Sequence, residues 1–246
     1  LRFKSVAEMN SSAQRQDEFR RRFQRVRERI ATAAARASRR PEEITLMAVS
    51  KTHPPEMIRE ALTAGLTDLG ENRVQEAAEK IPQLGRDKAR WHLIGHLQSN
   101  KARRAVELFD VIHSVDSTTL TRRLDRVCIE LDRKDLPLLI QVDLGHEASK
   151  SGASEPEVPE IIKSIAQSER LRLTGLMTVP PFFDDAELVR PFFRRLRGLR
   201  DELQARGVFG GELGELSMGM THDYEIAIEE GATIVRVGTA IFGERE

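Results

Sequence analysis

After Pro41 the sequence alternates between eight short apolar runs and seven amphipathic stretches of helical period, a pattern that few folds accept. The apolar runs are Ile44–Val49, Leu66–Gly70, Trp91–Gly95, Val111–Val115, Leu138–Val142, Leu171–Met177, Glu215–Met218 and Thr233–Val237. Between them lie Pro55–Ala64, Val74–Ile81, Ser99–Leu108, Ser117–Leu131, Pro156–Gln167, Asp185–Ala205 and Tyr224–Glu230. Strands that are apolar on both faces, each followed by a helix, form a parallel sheet covered on both sides. Eight such units in roughly 200 residues favour closure into a (β/α)8 barrel over an open sheet. No Gly-x-Gly-x-x-Gly follows any run, which removes the main support for a dinucleotide-binding fold.

Ahead of this pattern, Phe19, Phe23, Val26, Ile30 and Ala33 recur at steps of four, three, four and three, so residues 15–37 form an amphipathic helix. It is expected to pack outside the barrel or to close one end. The predicted fold class is thus α/β, a single (β/α)8 TIM barrel with an extra N-terminal helix. Residues 1–10 are expected to be disordered and 11–246 to form one domain, since no low-complexity linker divides them. Numbering opens at Leu1, so residues 1–8 are read as an appended stretch or an alternative start, with Met9 a candidate initiator.

Composition excludes several classes of function. Among 246 residues, 39 Lys and Arg balance 39 Asp and Glu, which leaves no basic field for nucleic acid or anionic lipid. The run Arg20-Arg21-Arg22 has acidic residues in the same turns and reads as a solvated helix face. One cysteine, Cys128, cannot build a disulfide framework and is expected as a small buried apolar group in a reducing compartment. Mean hydropathy is −0.42 and every apolar run is too short to cross a bilayer, so a soluble chain is expected. Without an apolar leader, and with Asp17, Glu18 and Glu28 early in the chain, the expected location is the cytoplasm.

In barrels of this class the active site is built at the carboxyl ends of the strands. Those ends carry Ser50-Lys51-Thr52-His53, Gly70-Glu71-Asn72-Arg73, Gly95-His96, Asp116, Asp143, Thr178, Ser217-Met218-Gly219-Met220-Thr221 and Arg236-Val237-Gly238-Thr239. Lys51, directly after an apolar strand, can have its ammonium in the barrel mouth, where desolvation makes the amine a nucleophile for an aldehyde; taken alone, it is equally one of many surface lysines. The glycine-containing turns 217–221 and 238–240 follow strands seven and eight, where such barrels often bind phosphate, although ordinary turn chemistry also accounts for them. Arg236 interrupts Ile234-Val235-Arg236-Val237 and, if buried, needs a partner, either a pyridine nitrogen or a glutamate across the barrel. Together, a reactive lysine, a phosphate nest and an arginine near a ring nitrogen describe a pyridoxal 5′-phosphate (PLP) site.

At these residues the chain strongly resembles the pyridoxal-phosphate homeostasis protein family, itself similar to the barrel domain of bacterial alanine racemase. The resemblance rests on Ala48–Thr52, Gly70–Glu76, Trp91–Lys101, Lys150–Gly152, Gly175–Met177, Leu216–Met220 and Val235–Gly243, in colinear order. It implies a covalent aldimine on Lys51, Arg236 facing the pyridine nitrogen, Ser217, Gly238 and Thr239 holding the phosphate, and Asn72 and Met220 lining the ring pocket. Two positions depart from the common spelling: Asp143 stands where asparagine is more usual, which puts an amide-donor role in doubt, and Thr221 replaces serine but keeps the hydroxyl.

The resemblance implies a role in binding and buffering the cofactor and supplying PLP-dependent apo-enzymes, with little or no turnover, from a monomer. Two alternatives are a one-domain amino-acid racemase and a Schiff-base aldolase. Racemisation needs bases on both faces of the cofactor, and the chain ends at Glu246, directly after strand eight, leaving no length for a domain that would supply the second; His96 or Asp143 could contribute one. A ring nitrogen kept unprotonated by Arg236 also makes the cofactor a poorer electron sink, although racemases tolerate it. No metal site is expected: His92 and His96 are four apart but span a strand and its loop, and no His-Glu-x-x-His occurs. Lys101 and Lys150 are the other lysines weighed as participants in cofactor transfer, with Lys150 read as solvated.

Overall fold

The computed structural model describes residues 6–145 and 151–243. Eight parallel strands close into one barrel in chain order: β1 (Thr45–Val49), β2 (Asp68–Glu71), β3 (Arg90–Leu93), β4 (Val111–Val115), β5 (Leu136–Gln141), β6 (Leu171–Met177), β7 (Glu215–Met220) and β8 (Ile234–Val237), with β8 pairing back onto β1. The helices are α1 (Val6–Arg36), α2 (Pro55–Thr63), α3 (Val74–Leu84), α4 (Ala102–Leu108), α5 (Thr118–Glu130), α6 (Val158–Ala166), α7 (Arg190–Ala205), α8 (Tyr224–Glu229) and α9 (Thr239–Phe242). The α/β barrel with an additional N-terminal helix is the fold that the alternation predicts. That helix begins at Val6, so residues 6–10, expected to be disordered, are helical; residues 1–5 lie outside the described residues.

The period of two along each strand separates an outer layer from a barrel interior. Leu69, Trp91, Leu93, Ile112, Leu138, Ile140, Leu176, Leu216, Val235 and Val237 join the apolar core shared with the helices. The alternate residues Val111, Leu139 and Met177 form a separate interior cluster. By the same parity Asp68, His92, His113, Ser217 and Arg236 belong to the interior, and their hydrogen bonds to one another across it agree. Branched apolar side chains dominate the interiors of most such barrels. Here a polar chain shares that space.

Helix α1 lies against α8 and α9, on the β7–β8 side of the barrel. Its apolar stripe Phe19, Phe23, Val26, Ile30 and Ala33 is buried, and burying each of the larger side chains stabilises the packing by roughly 1.5–3 kcal/mol. Three residues beyond it, Arg39 donates to the carbonyl oxygens of Ile228 (3.0 Å) and Ala232 (2.8 Å), tying the segment after α1 to the end of α8 and the turn that follows it. Arg22 donates to the carbonyl oxygen of Phe242 at the end of α9 (3.2 Å).

Candidate cofactor site

The backbone on either side of Lys51 is clamped. On one side the Ser50 carbonyl accepts from Lys80 Nζ at 2.8 Å. On the other, Thr52 takes a left-handed conformation (φ 66°) and donates its N–H to the Glu76 carboxylate. Helix α3 delivers Glu76 and Lys80 on one face, four residues apart, with Nζ 2.7 Å from Glu76 Oε1. Lys80 also donates to Glu71 Oε1 (3.1 Å), which accepts from Ser50 Oγ (2.8 Å). Burial pushes the Glu71 carboxyl above its ordinary value, Lys80 acting against it. Burial pushes Glu76 the same way, but donation from Lys80 and Thr52 N–H outweighs it and holds that carboxyl low. Two carboxylates and one buried ammonium thus pin the end of β1.

Asn72 follows β2, and its backbone presses on Gly95: a Cβ there would lie 2.1 Å from the Asn72 carbonyl oxygen, so only glycine allows the approach. Asn72 Oδ1 is buried with no hydrogen-bond partner among the described residues. Beside it opens a cavity of about 430 Å³, lined in part by Arg73, His96, Gln98 and Lys101. His96 is exposed and its Nδ1 lies 3.4 Å from Asp116 Oδ2. His92, four residues earlier, is buried inside the barrel with other partners. No group of three or more potential metal ligands occurs among the described residues. Asp143 Oδ1 accepts from Gly145 N–H at 3.1 Å, and Lys150 lies outside the described residues.

On the β7–β8 side, Gly219 (φ 89°) turns the chain where a Cβ would lie 2.5 Å from that of Ala227. Met220, half-buried, donates its N–H to Asp223 Oδ1 at 2.6 Å. Burial raises the Asp223 carboxyl, opposed by that N–H and by the Arg236 charge. Thr221 Oγ1 accepts from Gly238 N–H at 3.3 Å, and Thr239 is exposed at the first turn of α9. Thr221, absent from the residues the sequence singles out as ligands, therefore joins Gly238 and Thr239. Its signal was the retained hydroxyl.

Arg236 is 3% exposed. Its Nη1 donates to the carbonyl (2.6 Å) and hydroxyl (2.8 Å) oxygens of Ser217, and its Nη2 to the Thr178 carbonyl (2.7 Å). No carboxylate of the described residues forms an ion pair with it, and the partners it does meet are Ser217 and the Thr178 carbonyl. Burial pushes the guanidinium down to about 10, with Asp223 acting in the other direction, so it stays charged at neutral pH. Ser217 is wholly buried, its Oγ between Arg236 and His113 Nδ1 (3.0 Å).

The strand register brings these pieces together. β8 pairs with β1 through Met47↔Arg236 and with β7 through Met220↔Arg236, while Val49 pairs with Gly70 on β2. Lys51, Asn72, Met220, Arg236, Gly238 and Thr239 accordingly stand on neighbouring strands, at or just beyond their carboxyl ends. The arrangement offers an amine, a buried cation with no ion-pair partner among the described residues, and a turn of hydroxyls and backbone amides, which together can hold an aldehyde, a ring nitrogen and a phosphate.

Comparison with known proteins identifies the family. Residues 22–246 match the family described as alanine racemase, N-terminal domain. A pyridoxal phosphate homeostasis protein of Aquifex aeolicus is 43% identical over 225 residues, 92% of this chain and 97% of that protein. One of Escherichia coli strain K12 is 44% identical over 227 residues, covering 90% and 94%. The solved structure of PipY from Synechococcus elongatus PCC7942 with PLP bound is 43% identical and covers 87% of this chain and all of that one, with a TM-score of 0.76. Alanine racemase of Clostridium difficile 630, 16% identical with a TM-score of 0.70 over 93% of this chain and 57% of its own, shares the fold. On this sequence identity and coverage, the chain belongs to the pyridoxal phosphate homeostasis protein family.

Proposed function

We propose that the protein binds pyridoxal 5′-phosphate and acts as its carrier. The observation that carries this reading is Arg236, a buried guanidinium with no carboxylate partner among the described residues, on a strand flanked by the clamped Lys51 segment and the Thr221–Gly238 turn. The bound cofactor would supply the aldehyde. Lys51, at the clamped end of β1, would present its amine to that aldehyde. Arg236 would donate to the ring nitrogen, and Asn72, whose buried Oδ1 has no partner among the described residues, and Met220 would border the ring. Gly238, Thr239 and Thr221 surround the phosphate, while Ser217 serves by orienting Arg236.

The names of the relatives support a homeostatic role rather than turnover. Delivery to PLP-dependent apo-enzymes, from a cytoplasmic monomer, completes the proposal. No helix among the described residues is long and apolar enough to cross a membrane.

Purified protein saturated with PLP should be yellow and should bleach with borohydride. Incubated with alanine in deuterium oxide, it should leave the α-proton in place. Rapid exchange with inversion at catalytic protein concentration would make it a racemase, and a colourless protein trapped only with a sugar phosphate would make it an aldolase.

A further inference from the structure

A continuous hydrogen-bonded chain runs through the barrel interior from its floor to Arg236. Asp68, at the amino end of β2, has Oδ1 2.9 Å from His92 Nε2. His92 Nδ1 is 2.9 Å from His113 Nε2, and His113 Nδ1 is 3.0 Å from Ser217 Oγ on the far side of the barrel. Ser217 Oγ in turn accepts from Arg236. Both histidines are buried, so each ring nitrogen needs a matched partner.

From its carboxylate end the chain takes a direction. Burial works against charge on Asp68, but donation from His92 and Thr67 outweighs it, so the carboxyl stays ionised and can only accept. His92 Nε2 therefore carries a proton. Burial, with His92 and Arg236 adding to it, holds His113 neutral, its basicity far below that of a free imidazole. With its Nε2 proton committed to Asp68, His92 then accepts at Nδ1 from His113 Nε2–H, and His113 accepts at Nδ1 from the Ser217 hydroxyl. That hydroxyl has one proton. Once it points at His113, the Ser217 oxygen presents only lone pairs to Arg236, and it has no proton left for a phosphate.

We infer that Asp68, His92 and His113 are positioning residues of the cofactor site, a one-way relay that fixes Ser217 as an acceptor and so holds the Arg236 guanidinium in place from the opposite end of the barrel. The relay itself stands apart from the identity of the ligand; its effect on PLP rests on the function proposed above.

The test uses the full chain labelled with 15N at histidine and arginine. Without cofactor, His92 and His113 should both be neutral with the proton on Nε2, and the guanidinium protons of Arg236 should exchange slowly with solvent. A proton on Nδ1 of either ring, or a charged His92 at neutral pH, would overturn the relay. Asp68→Leu removes the terminal acceptor and should speed Arg236 proton exchange at least tenfold, while Asp68→Asn, which keeps an acceptor oxygen, should restore slow exchange. With PLP added, Asp68→Leu should shift the visible band and weaken binding about tenfold, and Asp68→Asn should stay within about twofold of wild type. Unchanged exchange and spectrum in Asp68→Leu would refute the inference. If wild type fails to bind PLP at all, the proposed function falls, while the tautomers and the Arg236 exchange rates still decide the relay; should Asp68→Leu not fold, the wild-type tautomers decide it alone.

Discussion

Lys80 Nζ donates to the carbonyl oxygen of Ser50 at 2.8 Å, one residue before Lys51, and the same ammonium bridges Glu71 and Glu76. The lysine that organises the end of β1 is thus a different one from the lysine assigned to the cofactor. Removing one member of a buried ionic cluster leaves the others uncompensated at a cost of about 3 kcal/mol. Lys80→Met should therefore lower the urea midpoint substantially and weaken cofactor binding as well. A midpoint equal to that of wild type would show that the cluster contributes nothing.

The two carboxylates should respond to pH in opposite senses. The Glu71 carboxyl lies above its ordinary value of 4.5 through burial, so its contribution to stability is complete below that value and fades as pH rises through the folded one. The Glu76 carboxyl lies below 4.5 despite burial, so its contribution is present above that value and is lost as pH falls. Urea midpoints from about pH 4 to about pH 7 should show Glu71→Gln gaining on wild type as pH rises and Glu76→Gln gaining as pH falls. Difference curves of the same slope would contradict these assignments.

His113 should make the protein sensitive to acid. Its folded basicity is depressed by burial first, then by His92 and Arg236, so the stability it contributes is present above the ordinary value of 6.5 and is lost as pH falls below it. His113→Gln should flatten the fall in stability on the acid side of 6.5, at the expense of stability at neutral pH. Parallel curves for the two proteins would assign the acid loss to other groups.

Lys51→Ala should remove the near-visible band that PLP acquires on binding while leaving the fold intact by circular dichroism. A surviving band would move the attachment to Lys101 or Lys150.

At the phosphate, hydrogen bonds to a charged group contribute roughly 1.5–3 kcal/mol each, so Thr239→Val and Thr221→Val should each weaken retention about tenfold or more in equilibrium dialysis. Ser217→Ala should act differently, by freeing Arg236, and so should alter the spectrum as well as the affinity. Wild-type retention in both threonine variants would place the phosphate elsewhere.

The periodic signal in the sequence was enough to define the barrel, and β4 and β6 begin and end where the apolar runs do. The apolar run Leu66–Gly70 starts two residues ahead of β2 because Leu66 closes the end of α2: Gly65 (φ 93°) reverses the chain and Leu66 N–H returns to the Ala61 carbonyl, a helix-terminating motif. Ile94 and Gly95 fall outside β3, where the chain turns against the Asn72 backbone. Helix α9 leaves no periodic signal because Thr239–Phe242 is a single turn, too short for a period to register.

Of the site, Lys51, Arg236 and the glycine turns were legible because each breaks a local apolar pattern at a strand end. His92 and His113 break theirs in the same way, inside Trp91-His92-Leu93 and Ile112-His113-Ser114, and the demand for a partner made of Arg236 applies equally to them. Which partners they meet depends on strands that face each other across the barrel, and no local spacing encodes that. Glu76 and Lys80 look like any exposed pair four residues apart on a helix until α3 is laid against β1.

The pairing of β8 with β1 also sets the order in which function can arise. Lys51 lies near the beginning of the chain and Arg236 near its end, with every other strand between them, so the two meet only through the last seam to close. During synthesis the amine emerges long before the strand that completes its surroundings. Until that strand is made, Lys51 lacks the Arg236 guanidinium and the Thr221–Gly238 turn, which under the proposed function would make capture of an aldehyde selective. Under that function, selectivity would arrive with barrel closure, a contact of high sequence separation of the kind that folds slowly.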